Sequence, residues 1–179
     1  MGNCGWVVLA ALATLMIARC SATSAPQRAA GSARHPLDLL SARKGKLGWA
    51  GLFLGHSRAR IEKLLARPLA VEQSEAPVCG QWGSRVEVAG REIRLQWSDQ
   101  SSDAELQSIH VPFRSSEVES PAALARRAIA HVPGLSAPPG SDEPSVDHLA
   151  LGLRGGSSLL LKPAEPDRCF FVSYEACLD

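Results

Sequence analysis

The stretch that most constrains the fold of this chain runs from Val86 to Phe113, where apolar residues recur at every second position. A period of two places side chains on alternate faces of a β-strand, so three such runs predict three strands. Ala89-Gly90 is a two-residue hairpin link in which Gly90 can adopt positive φ, and this link sets Val86 opposite Ile93. The alternating residues are Val86 and Val88, then Ile93, Leu95 and Trp97, then Ile109, Val111 and Phe113. We therefore expect an antiparallel meander with one buried face.

A helix is predicted before this meander, in the segment from Gly55 to Pro68. Ser57 is placed to cap it, because a serine oxygen can accept a hydrogen bond from a backbone N–H one turn further on. Pro68 ends the helical pattern. One face carries apolar residues at helical spacing: Ile61, Leu64 and Leu65. We expect that face to pack on the meander.

The second half repeats this order. Ser120 and Pro121 form a helix start, with the serine as N-cap and the proline at the first helical position. The helix stripe is predicted to be Leu124, Ala125, Ala128, Ile129 and Val132, and the strands that follow are Val146–Leu153, Ser158–Leu161 and Cys169–Tyr174. The pairing around Gly155-Gly156 leaves two alternatives, since either both sheet faces are covered or the turn is longer than two residues and the register shifts.

These elements predict an α+β fold in which a helix packs on an antiparallel three-strand meander, repeated twice in tandem. The composition, 45% apolar and 21% charged, is that of a globular protein. The predicted division of the chain is a leader over 1–22, a flexible tether over 23–36, and helix-plus-meander units over 37–116 and 117–179.

The N-terminal segment has the pattern of an export signal. Val7–Ile17 is an apolar stretch within the length of a signal-peptide core and well short of the ~20 residues that span a bilayer. Two ways of leaving the leader remain open: cleavage after Ala22, which starts the mature chain at Thr23, or lipid attachment at Cys20. Both place the protein outside the cytoplasm, as a periplasmic, outer-membrane-anchored or extracellular protein.

The net charge of +1 conceals an asymmetry. The segment 28–67 has nine basic and two acidic residues, whereas 68–179 has nine basic and sixteen acidic residues. The basic block can lie over the acidic body, or it can face an anionic partner. Arg58 and Arg60 belong to this basic block and lie in the first turn of the predicted helix, where cations oppose the helix dipole. They pair with the acidic second half, or they contact a partner; we predict Arg58 and Arg60 as partner-binding residues.

Export into an oxidising compartment favours a disulfide among the three cysteines beyond the leader. Cys169 and Cys177 are too far apart to be bridged if the intervening chain is one extended strand. Unless the chain doubles back after Tyr174, Cys79 pairs with one of them. We favour Cys79–Cys177, since Cys169 lies in an apolar run where a thiol packs well.

A catalytic interpretation rests on Gly55-His56-Ser57-Arg58-Ala59, which partly matches the G-x-S-x-G turn of serine hydrolases. The last glycine is missing, and that turn belongs in a parallel sheet. The histidines show neither an i,i+4 pair nor a cysteine partner at zinc-ligand spacing: His35, His56, His110, His131 and His148. The sequence therefore predicts no metal, no cofactor and no nucleic-acid partner. A small secreted hydrolase using Ser57 is the alternative function.

The order of leader, tether, Leu54-Gly55-x-Ser57 opening a helix that ends Leu64-Leu65-x-x-Pro68, and antiparallel meander resembles a family. It is similar to the outer-membrane small protein A (BamE-like) and β-lactamase-inhibitor-protein-like superfamily of small envelope modules. Arg60, where such helices often carry an acid or Gln, and Ala66, in place of the usual Gly, depart from the pattern. The resemblance implies a non-catalytic protein-binding module of the bacterial cell envelope, whose partner is another envelope or extracellular protein. Lipid attachment at Cys20 would make the module a lipoprotein associated with a membrane.

Overall fold

The computed structural model describes residues 34–73, 81–137, 149–164 and 168–174. Within these ranges the chain forms two α-helices, two short 3-10 helices and eleven strands. The helices are α1 (Arg58–Leu65) and α2 (Pro121–His131), and the 3-10 helices are Pro36–Leu39 and Ser115–Glu117. The strands are β1 (Leu40–Arg43), β2 (Lys46–Trp49), β3 (Leu52–Phe53), β4 (Glu72–Gln73), β5 (Trp82–Val88), β6 (Arg91–Trp97), β7 (Leu106–Pro112), β8 (Leu135–Ser136), β9 (Leu149–Leu153), β10 (Ser157–Lys162) and β11 (Cys169–Tyr174).

The strands form two antiparallel sheets. A small sheet has the order β1-β2-β3, and a large sheet has the order β4-β5-β6-β7-β11-β10-β9-β8. The predicted fold class is therefore wrong: the structure is mostly β, and it is not a helix on a three-strand meander repeated in tandem. The two meanders share one sheet because β7 pairs with β11, with His110 opposite Phe171. Alternation within each strand could not reveal this pairing, since it joins residues that are distant in sequence.

The small sheet was not predicted. Its strands are joined by two-residue turns at Lys44-Gly45 and Ala50-Gly51, in which all four residues have positive φ. The same geometry occurs at Ala89-Gly90, where the hairpin was predicted. Such turns match the twist of the paired strands and so specify tight hairpins.

The core lies between the large sheet and a layer that combines the small sheet with α2. β2 contacts β10 and β11, and α2 contacts β1, β8, β9 and β10. Trp49 is fully buried, and its indole N–H donates to the carbonyl oxygen of Pro36 at 2.8 Å. The layer that covers the sheet is thus built from strands as well as from a helix, which is the physical reason for the failed fold prediction. Fully buried side chains from both layers include Leu47, Trp49, Ile93, Leu95, Ile109, Leu124, Leu159 and Phe170.

The hairpin register was predicted correctly in one place and left open in another. Val86 lies opposite Ile93, as the Ala89-Gly90 link requires. Between β9 and β10 the turn spans three residues, so that Leu151 faces Leu159. The longer turn places Leu149 and Leu151 of β9 on the same face as Leu159 and Leu161 of β10, which resolves the two alternatives in favour of a shifted register.

The two helices differ in how they are held. Each starts at a serine cap: Ser57 accepts a hydrogen bond from the amide of Arg60, and Ser120 accepts one from the amide of Ala123. α2 buries most of its predicted stripe, whereas α1 buries only Ile61 within the helix. Leu64 of α1 is 55% exposed. α1 is therefore an element at the margin of the core.

Candidate functional site

A pocket of about 260 Å³ lies where the tip of the β1–β2 hairpin meets the start of α1. Its lining combines several cations with a short apolar floor. We call it the basic pocket, and its residues are Arg43, Lys44, Lys46, Phe53, Leu54, Gly55, His56 and Arg60.

Three of the cations come from the hairpin tip, which is held against the rest of the protein by its turn. Ser157 donates a hydrogen bond from its hydroxyl to the carbonyl oxygen of Gly45 at 3.4 Å. A Cβ on Gly155 would lie 2.9 Å from the same oxygen, so the β9–β10 turn approaches the hairpin turn closely. This contact places Arg43, Lys44 and Lys46 at the pocket.

The floor of the pocket depends on two close approaches to glycine. A Cβ on Gly48 would clash with the Phe53 ring, so the glycine allows Phe53 to lie across β2. A Cβ on Gly55 would clash with Nζ of Lys46 and lie 2.9 Å from the hydroxyl of Tyr174. Nζ of Lys46 also lies 5.7 Å from the centre of the Tyr174 ring, within the range of a cation–π contact. Lys46 is therefore packed into a defined place.

His56 is held by its backbone at the edge of this floor. Its amide donates to the carbonyl oxygen of Phe53 at 3.1 Å, and its carbonyl oxygen accepts from the amide of Leu106 at 2.9 Å. The imidazole meets the Phe53 ring edge-on at 5.6 Å between centroids, and its Nδ1 atom is buried without a hydrogen-bond partner. Burial, and then the charges of Arg60, Arg43 and Lys46, lower the pKa of His56 below its usual value. The imidazole is therefore neutral at pH 7.

None of the four cations that line the pocket takes part in an ion pair among the described residues. The ion pairs found among the described residues involve other basic side chains: Arg58, Arg85, Arg91, Arg127 and His131. Four like charges around one cavity repel one another, and after burial, which is the largest cause, the charges of Arg60, Arg43 and Lys46 contribute to the lowered pKa of His56. An anion with several oxygen acceptors would reduce the repulsion between these cations, because Arg and Lys side chains bind such anions well.

The two predicted partner-binding residues separate in the structure. Arg60 lines the basic pocket. Arg58 folds back on its own helix, with Nε 3.7 Å from a carboxylate oxygen of Glu62, and its guanidinium donates to the carbonyl oxygen of Gln100 at 2.9 Å. Its ion pair is thus local and does not involve the acidic second half. Of the two, only Arg60 lines the basic pocket.

Other predicted residues are placed as follows. Ser57, the serine of the alternative hydrolase hypothesis, follows a two-residue strand of an antiparallel sheet and accepts from the amide of Arg60 at 3.4 Å. Cys169 is buried at the start of β11. The lipidation site Cys20 and the favoured disulfide residues Cys79 and Cys177 lie outside the described residues.

Sequence reasoning missed Arg43, Lys44, Lys46 and His56 as members of one site. One signal was present: Lys44-Gly45 is an X-Gly link of the same kind as Ala89-Gly90, so it could have predicted a hairpin with cations at its tip. Nothing local to the sequence showed that this tip would lie beside the start of α1. That placement comes from long-range contacts.

In two other clusters, by contrast with the basic pocket, arginine side chains form ion pairs with carboxylates. Arg91 and Glu117 form a buried ion pair in which the guanidinium also donates to the carbonyl oxygen of Pro112 at 3.0 Å. Burial raises the pKa of Glu117, but hydrogen bonds from Arg91 and from the amide of Arg114 outweigh it, so the pKa is lowered overall. The second cluster joins α2 to the first 3-10 helix: Arg127 contacts Asp38 at 3.0 Å and Glu119 at 3.3 Å, and His131 contacts Asp38 at 3.1 Å.

Within the described ranges, no group of three or more His, Cys, Asp or Glu side chains is arranged to hold a metal ion. No helix found there has the length and apolar character needed to cross a bilayer. Comparison with known proteins gives no match to any protein-family model, to any curated protein or to any solved structure.

Proposed function

We propose that this protein is an exported, non-catalytic binding module of the bacterial cell envelope that uses the basic pocket to hold an acidic surface of another protein. The observation that carries the proposal is the set of four pocket cations without an ion pair among the described residues: Arg43, Lys44, Lys46 and Arg60. A cluster of this kind lowers the stability of the isolated protein, and its repulsion is relieved when an acidic partner binds.

The position of Arg60 supports the same conclusion. It lies in the first turn of α1, where no acidic residue balances the positive end of the helix dipole. Lys63, one turn later, lies near the negative end, where a cation is favourable. Residues that break a local rule without local compensation point to contacts made elsewhere. For Arg60 that contact is the partner.

The non-catalytic part of the proposal draws support from Ser57. Its oxygen accepts the capping hydrogen bond from the Arg60 amide, which gives the serine a structural role. The preceding strand, β3, belongs to an antiparallel sheet and not to the parallel sheet of a hydrolase elbow. A serine that caps a helix stabilises the fold by about 0.5–2 kcal/mol and needs no chemistry to account for it.

Export is supported by the predicted leader, and it has its own test. Mass spectrometry of the mature protein from a membrane and a periplasmic fraction should find the chain starting at Cys20 with lipid or at Thr23 without it. Intact Met1 on a cytoplasmic protein would contradict export while leaving the pocket's role open.

The binding role is tested by crosslinking in the producing cell. A photo-reactive amino acid in place of Lys44 should give a discrete adduct with one protein, because Lys44 lines the pocket. Arg60→Glu should abolish that adduct. Lys63→Glu is the matched control, since it makes the same charge change on the same helix at an exposed position outside the pocket. Equal loss of the adduct in both variants, or no adduct at all, would contradict the proposal.

A further inference from the structure

His56 lies in a place where its charge must respond to whatever enters the basic pocket. The ring is fixed through the backbone contacts of its own residue and the edge-on contact with Phe53. Nδ1 is buried and makes no hydrogen bond in the protein. His56 itself lines the basic pocket, and an imidazole nitrogen accepts a hydrogen bond when unprotonated and donates one when protonated.

The charged and titratable groups around His56 come from every element packed there. β1 supplies Arg43, the turn supplies Lys44, β2 supplies Lys46 and α1 supplies Arg60. From β11, the hydroxyl of Tyr174 reaches the neighbourhood of Gly55. On the adjoining segment, Glu105 is exposed and meets Ser57 through a backbone bridge. The field at the imidazole is therefore positive until a ligand brings negative charge.

We propose that the basic pocket binds a carboxylate-rich segment of the partner protein together with one proton, which is taken up by His56. This inference rests on the proposed function and adds the chemistry of its ligand and its dependence on pH. The proton comes from the buffered solvent and returns to it when the partner leaves, so that both ring nitrogens carry hydrogen only in the complex. No covalent bond of the partner forms or breaks.

The physical reason is linkage between the two binding events. Burial, and then the charges of Arg60, Arg43 and Lys46, disfavour a charged imidazole in the empty protein, and the partner's carboxylates oppose the part of that penalty that the three cations contribute. The free energy by which the bound anion favours protonation of His56 equals the free energy by which the protonated His56 favours binding of the anion. Affinity therefore rises as the pH falls from about 7.5 to about 5.5, by at most tenfold for each pH unit for a single proton.

The direction of this change distinguishes a carboxylate ligand from a phosphorylated one. Aspartate side chains have pKa values near 3.9 and stay charged throughout that range. A phosphate monoester takes up its second proton near pH 6 and so loses charge within the same range. Protonation of His56 then adds to the attraction for a carboxylate-rich segment, whereas for a phosphorylated group it is offset.

The experiment uses the mature protein and a synthetic hexa-aspartate peptide as the probe, at low salt. Calorimetric titration at pH 6.5 in two buffers of different ionisation enthalpy measures the protons taken up per peptide bound. We expect a clear fractional uptake, and an NMR titration of the His56 ring should show its pKa rising when the peptide is present. Both measurements use the wild-type protein, so they do not depend on a variant that folds.

Variants assign the proton to this residue. His56→Gln should still bind the peptide near pH 7.5 but lose the increase in affinity at lower pH. His131→Gln is the matched control, since His131 contacts Asp38 on α2's side of the protein and does not line the pocket; it should keep the full pH dependence.

The possible results separate this inference from the proposed function. Peptide binding without proton uptake overturns the role of His56 and leaves the binding module intact. If the peptide fails to bind while vesicles of anionic phospholipid do bind, the partner is a membrane surface, and both proposals fall. Proton uptake that persists in His56→Gln would move the proton to another group and also overturn the inference.

Discussion

The basic pocket differs from a second group of charged residues in whether its cations are paired. We call that second group the α2 charge cluster, and its residues are Asp38, Glu119, Arg127 and His131. In the cluster, one guanidinium bridges two carboxylates, and their hydrogen bonds and charges raise the pKa of Arg127 against the effect of its partial burial. In the pocket, four cations surround a histidine whose pKa is lowered. Charge that is compensated within the chain stabilises the fold, and charge that is left uncompensated is available to a ligand.

The largest effect is expected at the buried pair of Arg91 and Glu117, whose side chains are only 6% and 9% exposed. Glu117→Gln keeps the shape but leaves a buried guanidinium without its counter-charge, which should lower the free energy of unfolding by about 3 kcal/mol. Urea denaturation measures the loss. Glu92→Gln is the control, because its pair with Arg85 is 65% and 72% exposed, and it should change stability by less than about 1 kcal/mol.

The same pair predicts a pH dependence. The pKa of Glu117 is lower in the folded state than its usual value, so its contribution to stability is present at neutral pH. It is lost as the pH falls below about 4.3, the unfolded value, towards the folded pKa. Glu117→Gln should therefore lose less stability than the wild-type protein on acidification. Parallel acid-denaturation curves for the two proteins would show that the pair does not carry the charge assigned to it.

The next effect concerns Gly55, which has the same positive φ of 73° as Gly90. A Cβ at Gly90 has open space, so Gly90→Ala should cost only the backbone strain, about 1 kcal/mol. Gly55→Ala carries the same backbone strain and adds a clash with Nζ of Lys46, which is the end of a flexible side chain and can move aside, so we expect a loss of stability close to that of Gly90→Ala, about 1 kcal/mol. Thermal unfolding compares the two.

Gly55→Ala should also weaken binding of the hexa-aspartate peptide, because it displaces Lys46 from the pocket, whereas Gly90→Ala should leave that binding unchanged. Equal binding of the peptide by the two variants would mean that Lys46 is not held where the structure places it.

A smaller effect, of opposite sign in the two regions, is expected from removing one arginine from each. Arg127→Gln breaks two partly exposed ion pairs and should lower the free energy of unfolding by about 0.5–1 kcal/mol. Arg60→Gln removes repulsion within the pocket and an unfavourable charge at the helix start, so it should raise stability by some tenths of a kcal/mol. Denaturant titration at low salt gives both values, and added salt should reduce both. A destabilising Arg60→Gln would show that this arginine serves the fold.

The smallest effect is the pH dependence of the free protein near His56. Its pKa is lowered in the folded state, so the unfolded chain binds the proton more tightly and stability falls as the pH drops below about 6.5. His56→Gln should remove that part of the decline without changing stability at pH 8. Unfolding measured between pH 8 and pH 5.5, above the range of the carboxylates, isolates this contribution. An unchanged slope in the variant would exclude His56 as its source.

Local pattern determined several parts of the structure that the sequence analysis stated in advance. The hairpin that pairs Val86 with Ile93 follows from alternation and one X-Gly link. The helix caps at Ser57 and Ser120 follow from side chains that reach a backbone amide one turn away. The charge conflict at Arg60 was also visible, since it depends only on position in the first turn. Each of these involves residues that are neighbours in the chain, so tertiary context did not alter them.

The partnerships between segments were decided only by the tertiary structure. The alternation of apolar residues predicts that β7 and β11 are strands, but it carries no information on which strands pair. The pairing of β7 with β11 joins the two meanders into one sheet. The same holds for the pocket, because Lys44 and Arg60 both line it although they belong to different elements, and the hairpin turn that carries Lys44 contacts the β9–β10 turn. By itself, the sequence determined which residues are charged and which local shapes they favour. Close packing of distant segments decided which of those charges are compensated and which surround an open cavity.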